Sequence, residues 1–249
     1  MADIEEIVVV NASDVIPDTE VAGAIEPLQL YTDTILRPAW GLAPCQYSFM
    51  TWASFQAKYR DASGELHWPQ GTVAPVFGNN LSSDPSALGW HEDDLNSIFG
   101  RVFFGSDKRY GVSPWVDLAH ECFEMLVDPL TNRTVTLANG DRALVEVGDP
   151  VEDDLFKVVM PGFEKYPMSD IVHPSYFGPA NPAGVTGYDH GGHLTAPCPA
   201  LLSGGYQSLL KAGASSWSQL TADLNPKAAW RIMSSRRAKR LARFVPTQP

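Results

Sequence analysis

Cysteine is scarce in this chain, and the three residues that occur, Cys45, Cys122 and Cys198, are far apart. Their odd number and the lack of any Cys-x-x-Cys pair exclude a disulfide framework and a thiolate zinc site as organising features. We read a chain made in a reducing, intracellular compartment. Long apolar runs are also missing. No stretch approaches the roughly 20 apolar residues of a membrane span, so no membrane partner is expected. The N-terminal Met1-Ala2-Asp3-Ile4-Glu5-Glu6 is acidic and has no basic n-region, so secretion by a signal peptide is not expected. A phosphate loop of the Gly-x-x-x-x-Gly-Lys type is absent, as is a local Ser-His-Asp signature. Neither an internal repeat nor a low-complexity tract interrupts the chain.

What remains is a chain of 249 residues, 44% of them hydrophobic. That is enough for one large domain, or two small ones, around a real core. The 20 glycines and 20 prolines point to many turns and long loops. Charge is segregated. From Lys227 onward there are seven basic residues and no acid, while the rest of the chain carries 11 basic residues against 29 acidic ones. An acidic body with a basic tail does not suit a dedicated nucleic-acid binder. The tail, 227–243, suits an acidic partner, the body of another copy, a phosphate backbone or plain solvation.

Local patterns give an order of elements. Ile7 to Val10 reads as a buried strand. Asp18 to Leu36 reads as a helix broken or re-entered at Pro27 and closed by Arg37-Pro38-Ala39-Trp40-Gly41. Tyr47 to Trp52 suggests a second strand, and 56–86 a loop. Leu88 to His91 and Arg101 to Phe104 suggest short strands around an acidic turn, Glu92-Asp93-Asp94. Asn139-Gly140, between Thr134–Leu137 and Ala143–Val147, is a hairpin signal. Residues 161–205 are loop-rich, 206–220 mixed, and 225–243 a basic C-terminal helix. The class this order predicts is α+β, with a mixed sheet and long irregular loops.

The segment richest in chemistry is Ser113 to Pro129. Ser113 suits an N-cap, Pro114 the first helical position, and Pro129 a stop. Asp117, His120, Glu121, Glu124 and Asp128 fall within one broad polar face. On a helix, His120 and Glu124 lie one turn apart on the same side. They make a half-motif, His-Glu-x-x-Glu, like the zinc peptidase helix with glutamate in place of its second histidine. A catalytic zinc takes three protein ligands. Asp149 is the first candidate for the third, with Glu146 and His91 next. Glu121 suits the general base that takes a proton from the attacking water. Two carboxylate ligands make the site harder than zinc prefers, so calcium, magnesium or manganese also fits. Glu124, Asp128, Glu146, Asp149 and Glu152 are alternatively the ligands of a structural calcium. A third reading has no metal, with the acids solvated or paired with arginine. The loop Tyr188-Asp189-His190-Gly191-Gly192-His193 places two histidines three apart and is a weaker metal candidate.

Several ordered pieces resemble one family, uncharacterised bacterial and phage proteins with a zincin-like (metallopeptidase-like) domain. They are Val9-Val10-Asn11-Ala12-Ser13, Arg37-Pro38-Ala39-Trp40-Gly41, Ala87-Leu88-Gly89-Trp90-His91, His120 to Pro129, Glu146 to Glu152, Leu194-Thr195-Ala196-Pro197 and Gly204-Gly205-Tyr206. Gly148 departs from the pattern, standing where relatives often have cysteine. The segment 56–86 and the basic tail look like additions. The resemblance implies a zincin-like α+β domain over 1–220, with one active-site-type helix, and a basic C-terminal helix or tail over 221–249. It also implies a virion-associated structural protein, made in the host cytoplasm. Such a protein would assemble in many copies through its termini, with itself or with other virion proteins. The alternative is a metal-dependent peptidase. The peptidase would hold a divalent metal, zinc or calcium, at His120, Glu124 and Asp149, with Glu121 as base, whereas the structural protein keeps the fold without needing catalysis.

Overall fold

The computed structural model describes residues 4–14, 16–66, 76–78, 89–94, 97–156 and 162–222. Most of 56–86, the N-terminal residues 1–3 and the basic segment 225–243 lie outside the described residues. The architecture is mixed, with helices and three sheets, and is consistent with the expected α+β class.

The run Ile7-Val8-Val9-Val10 forms strand β1 (Glu6–Asn11), buried on both faces. Near-continuous burial of this kind belongs to a central parallel strand. Helices α1 (Asp18–Gly23), α2 (Ile25–Tyr31) and α3 (Arg37–Trp40) follow, with a π turn over Thr32–Leu36. Then come β2 (Gln46–Thr51), α4 (Trp52–Tyr59), β3 (Val76–Gly78), β4 (Gly89–Asp94), β5 (Ser97–Phe103), α5 (Phe104–Tyr110) and α6 (Pro114–Val127). The first sheet has the order β2-β1-β3-β5-β4. Neighbours pair in parallel except β4, which runs antiparallel to β5 at the edge. Ile7 and Val9 belong to the main core with α2 and α6, while Val8 and Val10 pack with Phe55 of α4. Helices therefore cover both faces of this sheet.

The hairpin expected at Asn139-Gly140 is present as β6 (Thr134–Thr136) and β7 (Arg142–Leu144), with Gly140 at φ +85°. These strands join β10 (Tyr206–Leu210) and β11 (Ser218–Thr221) in an antiparallel sheet of order β11-β10-β7-β6. A two-stranded ribbon pairs β8 (Leu155–Phe156) with β9 (Met168–Ser169).

Several expectations need correction. The first helix breaks at Ala24, not at Pro27. The Tyr166 hydroxyl donates to Glu20 O at 3.1 Å, and the Ala24 N–H bonds to Val21 O and Ala22 O instead. A side chain inserted into the helical ladder breaks it at that point. Pro27 sits in the first turn of α2, where its missing N–H costs nothing. Residues Glu92 to Asp94 are strand, not turn, because β4 pairs with β5 along its whole length. Trp52 opens α4 rather than closing β2, with the Thr51 hydroxyl accepting from Ser54 N. Ser113 stands at the N-cap of α6 but makes no side-chain cap bond.

Helix α6 departs from an ordinary amphipathic helix: the residues of its broad polar face, Asp117, His120, Glu121 and Glu124, are all buried. Tyr31 of α2 stacks on Phe123 at 5.1 Å, and the side chains of Gly100-flanking β5 and of α6 share one core with β7, β9 and β10. The helix is a central element between two sheets, so even its charged residues are out of water.

Candidate metal centre

Helix α6 carries His120 and Glu124 one turn apart, and β7 delivers the third group. After Leu144 the chain passes α6 and turns at Asp149–Val151 in a single 3-10 turn. The turn is held from behind, since Val172 N donates to Val147 O at 2.8 Å and Leu202 N donates to Pro150 O at 3.0 Å.

These elements bring His120, Glu124 and Asp149 together. His120 Nε2 lies 3.1 Å from Glu124 Oε1 and 3.3 Å from Asp149 Oδ1. On the other edge of the ring, Glu152 Oε2 is 3.5 Å from Nδ1. His120 is 5% exposed, Glu124 0% and Asp149 1%. Burial alone would drive the imidazole proton off. The charges of Glu124 and Glu152 and hydrogen bonds to Asp149 and Glu124 outweigh it, holding the proton well above the ordinary histidine range. Close approach depends on Gly148, where an added Cβ would stand 2.5 Å from His120 Nδ1.

The donor set fits a divalent cation. One imidazole and three carboxylates are the donor types that hold a divalent cation, which would take the place of the His120 proton on binding. His120, Asp149 and Glu152 each offer a ligand atom within 4.8 Å of the others. Mixed imidazole and carboxylate donors suit manganese or zinc better than an all-oxygen calcium cage.

The other predicted residues lie elsewhere. Glu121 faces the first sheet: a Cβ at Gly89 of β4 would meet its Oε1 at 2.8 Å, and one at Gly100 of β5 would meet its Cβ at 3.5 Å. Asp128 is not turned toward an ion. Its carboxylate accepts from the backbone N–H groups of Asn132 and Arg133 at 3.1 and 2.8 Å. Glu146 is buried in the segment leading to Asp149, and His91 lies on β4. The acids of this site are buried rather than solvated, which corrects that part of the no-metal reading.

The histidines of the glycine-rich loop part company. His190 packs against Phe156 at 4.6 Å, Tyr31 at 5.8 Å and His173 at 6.4 Å. Burial and the neighbouring His173 lower its affinity for a proton. His193 is exposed, and its Nδ1 meets Asp154 Oδ2 at 2.5 Å. Sequence reading missed Asp170, which directly follows β9, lies beside this pair and carries no local motif. A cleft of about 420 Å³ between Trp40, Arg133, Val145 and Phe177 is lined by none of these groups.

No family model matches the chain, and no curated protein and no solved structure matches it either.

Proposed function

We propose that the protein is a zincin-like domain that holds one divalent cation at His120, Glu124 and Asp149, and that it serves as a structural component of a phage particle. The approach of buried Glu124 and Asp149 to His120 Nε2, and of ligand atoms of His120, Asp149 and Glu152 to within 4.8 Å of one another, carries the metal reading. Glu152 at the far ring nitrogen adds the carboxylate that commonly orients a ligating histidine. The zincin-like reading draws support from the placement of α6, which comes after β5 and packs beside an antiparallel edge strand. Near-complete enclosure of the donors favours a structural ion, since catalytic sites keep a position open. The phage particle rests on the family resemblance and on the basic tail as a joining segment.

Elemental analysis of the purified chain is the direct test. About one equivalent of a divalent metal is expected, lost in His120→Ala. Chelation should lower Tm by about 5–10 °C, from roughly 2.7 kcal/mol of linkage at a hundredfold excess over Kd. A metal-free chain whose Tm ignores both chelator and metal would sink the proposal. In purified particles of the encoding phage, the protein should be present in stoichiometric amount.

The His-Glu-x-x-Glu helix supports a second reading, a metal-dependent peptidase. Glu121 is buried against β4 and β5, so the base role requires its side chain to turn toward the His120 group. A bound cation would supply Lewis acidity toward a peptide carbonyl. Glu121 would accept the proton of the attacking water and pass it to the leaving amine. Glu121→Gln should then abolish hydrolysis of a casein substrate while the metal content stays unchanged. Equal activity in the variant would remove Glu121 from the role of base.

A further inference from the structure

The cleft of about 420 Å³ beside helix α3 has apolar walls, among them Trp40, Val145, Pro174, Phe177 and Pro182. Trp40 meets Phe177 edge-on, with ring centroids 6.1 Å apart and planes inclined at 61°. The proline walls have fixed backbone angles, so the shape is set before a ligand arrives. In a site of this kind a few polar groups decide what is accepted.

Two of the lining polar side chains are already engaged. The Trp40 Nε1–H donates to Val172 O at 3.0 Å, and the Thr134 hydroxyl accepts from Arg142 Nη2 at 2.7 Å. Arg133 is different. Its guanidinium carbon lies 5.3 Å from the centre of the Trp40 ring. Nη1 donates to Val127 O at 3.2 Å, and no carboxylate pairs with the guanidinium among the described residues. No acid lines the cleft. The remaining guanidinium N–H groups are therefore the side-chain donors that the cleft can offer a ligand.

A separate feature holds Arg133 in place. Thr131 stands at φ +49°, a left-handed conformation that a β-branched residue rarely takes. Asp128 braces the turn by accepting from Arg133 N at 2.8 Å, and Val145 N donates to Arg133 O at 2.9 Å. Both backbone groups of Arg133 are thus pinned. Backbone strain of this kind collects at ligand clamps, and here it sets one cation on the wall of an apolar cleft.

We propose that this cleft binds a small aromatic monocarboxylate, with its ring against Trp40 and Phe177 and its carboxylate on Arg133. A guanidinium stacked on an aromatic face keeps in-plane N–H groups available to a carboxylate. A neutral ligand would leave the cation without a counter-charge, and a bare anion would leave the apolar walls wet. The volume falls within the range of small-molecule sites, about 300–1,000 Å³. The cleft shares no residue with the His120 centre and does not depend on it.

Isothermal titration calorimetry of the full chain with cinnamate is the test. One site is expected, with Kd below about 1 mM. The neutral isostere cinnamamide and acetate should each bind about tenfold more weakly or worse, and so should cinnamate to Arg133→Gln. Ala180 is an exposed residue lining the cleft, so Ala180→Trp should block the space and abolish binding while Tm stays unchanged. Added chelator should leave the affinity as it is, which separates the cleft from carboxylate binding at a metal. A wild-type chain without sub-millimolar affinity for cinnamate would overturn the proposal. So would equal affinity for the amide, affinity lost to chelator, or binding unchanged in both Arg133→Gln and Ala180→Trp.

Discussion

Gly148 shows how one missing side chain can build a site. Its φ of −94° is ordinary for any residue, so the glycine is required by proximity rather than by backbone conformation. Without a Cβ the chain passes directly against the His120 ring, and Asp149 follows within reach of Nε2. A larger side chain here, cysteine included, would not fit without moving the imidazole. Asp141 is a second residue whose surroundings exceed its local role. It accepts from Lys211 Nζ and Ala212 N, both at 2.9 Å, and from Asn139. These donors, Lys211 foremost, hold its carboxyl below the usual range. A depressed folded-state pKa gives stability that is present above the unfolded pKa and lost as pH falls through the folded one. Asp141→Asn should therefore unfold earlier in urea at pH 7, and the gap from wild type should narrow as pH falls below the unfolded value near 3.9 and close below the depressed folded-state value. A gap independent of pH would mean that shape, not charge, was lost.

At the scale of elements, α6 explains the most. Its start and stop were legible from Pro114 and Pro129, and the helix runs Pro114–Val127. Its environment was not legible. Alternation of polar and apolar residues on a helix ordinarily marks one wet side, but here both sides meet protein. The polar residues are instead consumed by specific tasks: His120 and Glu124 at the candidate metal centre, Asp128 in closing the chain after the helix. Two backbone N–H groups depend on Asp128. Asp128→Ala should cost about 2 kcal/mol, the penalty of leaving buried donors unsatisfied, read as a lower urea midpoint with unchanged m-value. A loss below about 0.5 kcal/mol would mean that water replaces the carboxylate. The break between α1 and α2 teaches the same lesson from the other direction. Pro27 is the obvious local breaker, yet Tyr166, 146 residues from Glu20 in sequence, decides where the helix bends.

Across the whole molecule, two sheets and a ribbon meet along α6, and the candidate metal centre lies where segments distant in sequence cross. The elements with a strong local code were readable in advance: Ile7–Val10 as a buried strand, the Asn139-Gly140 hairpin, and the helix from Pro114. His120 and Glu124 were readable as neighbours because helical spacing alone puts them one turn apart. Asp149 was a reasoned choice, since a hairpin after the helix can return to it. Nothing local set Glu121 against β4 or turned Asp128 to the backbone of Asn132 and Arg133. Those outcomes depend on which sheet each side of α6 meets. Asp154, Asp170 and His193 likewise come together only after β8 pairs with β9 and the 187–193 loop folds over them. Backbone propensity and periodicity act over a few residues and so were carried by the chain's own order. Burial of charge and convergence of donors depend on packing between distant segments, and only the folded chain could decide them.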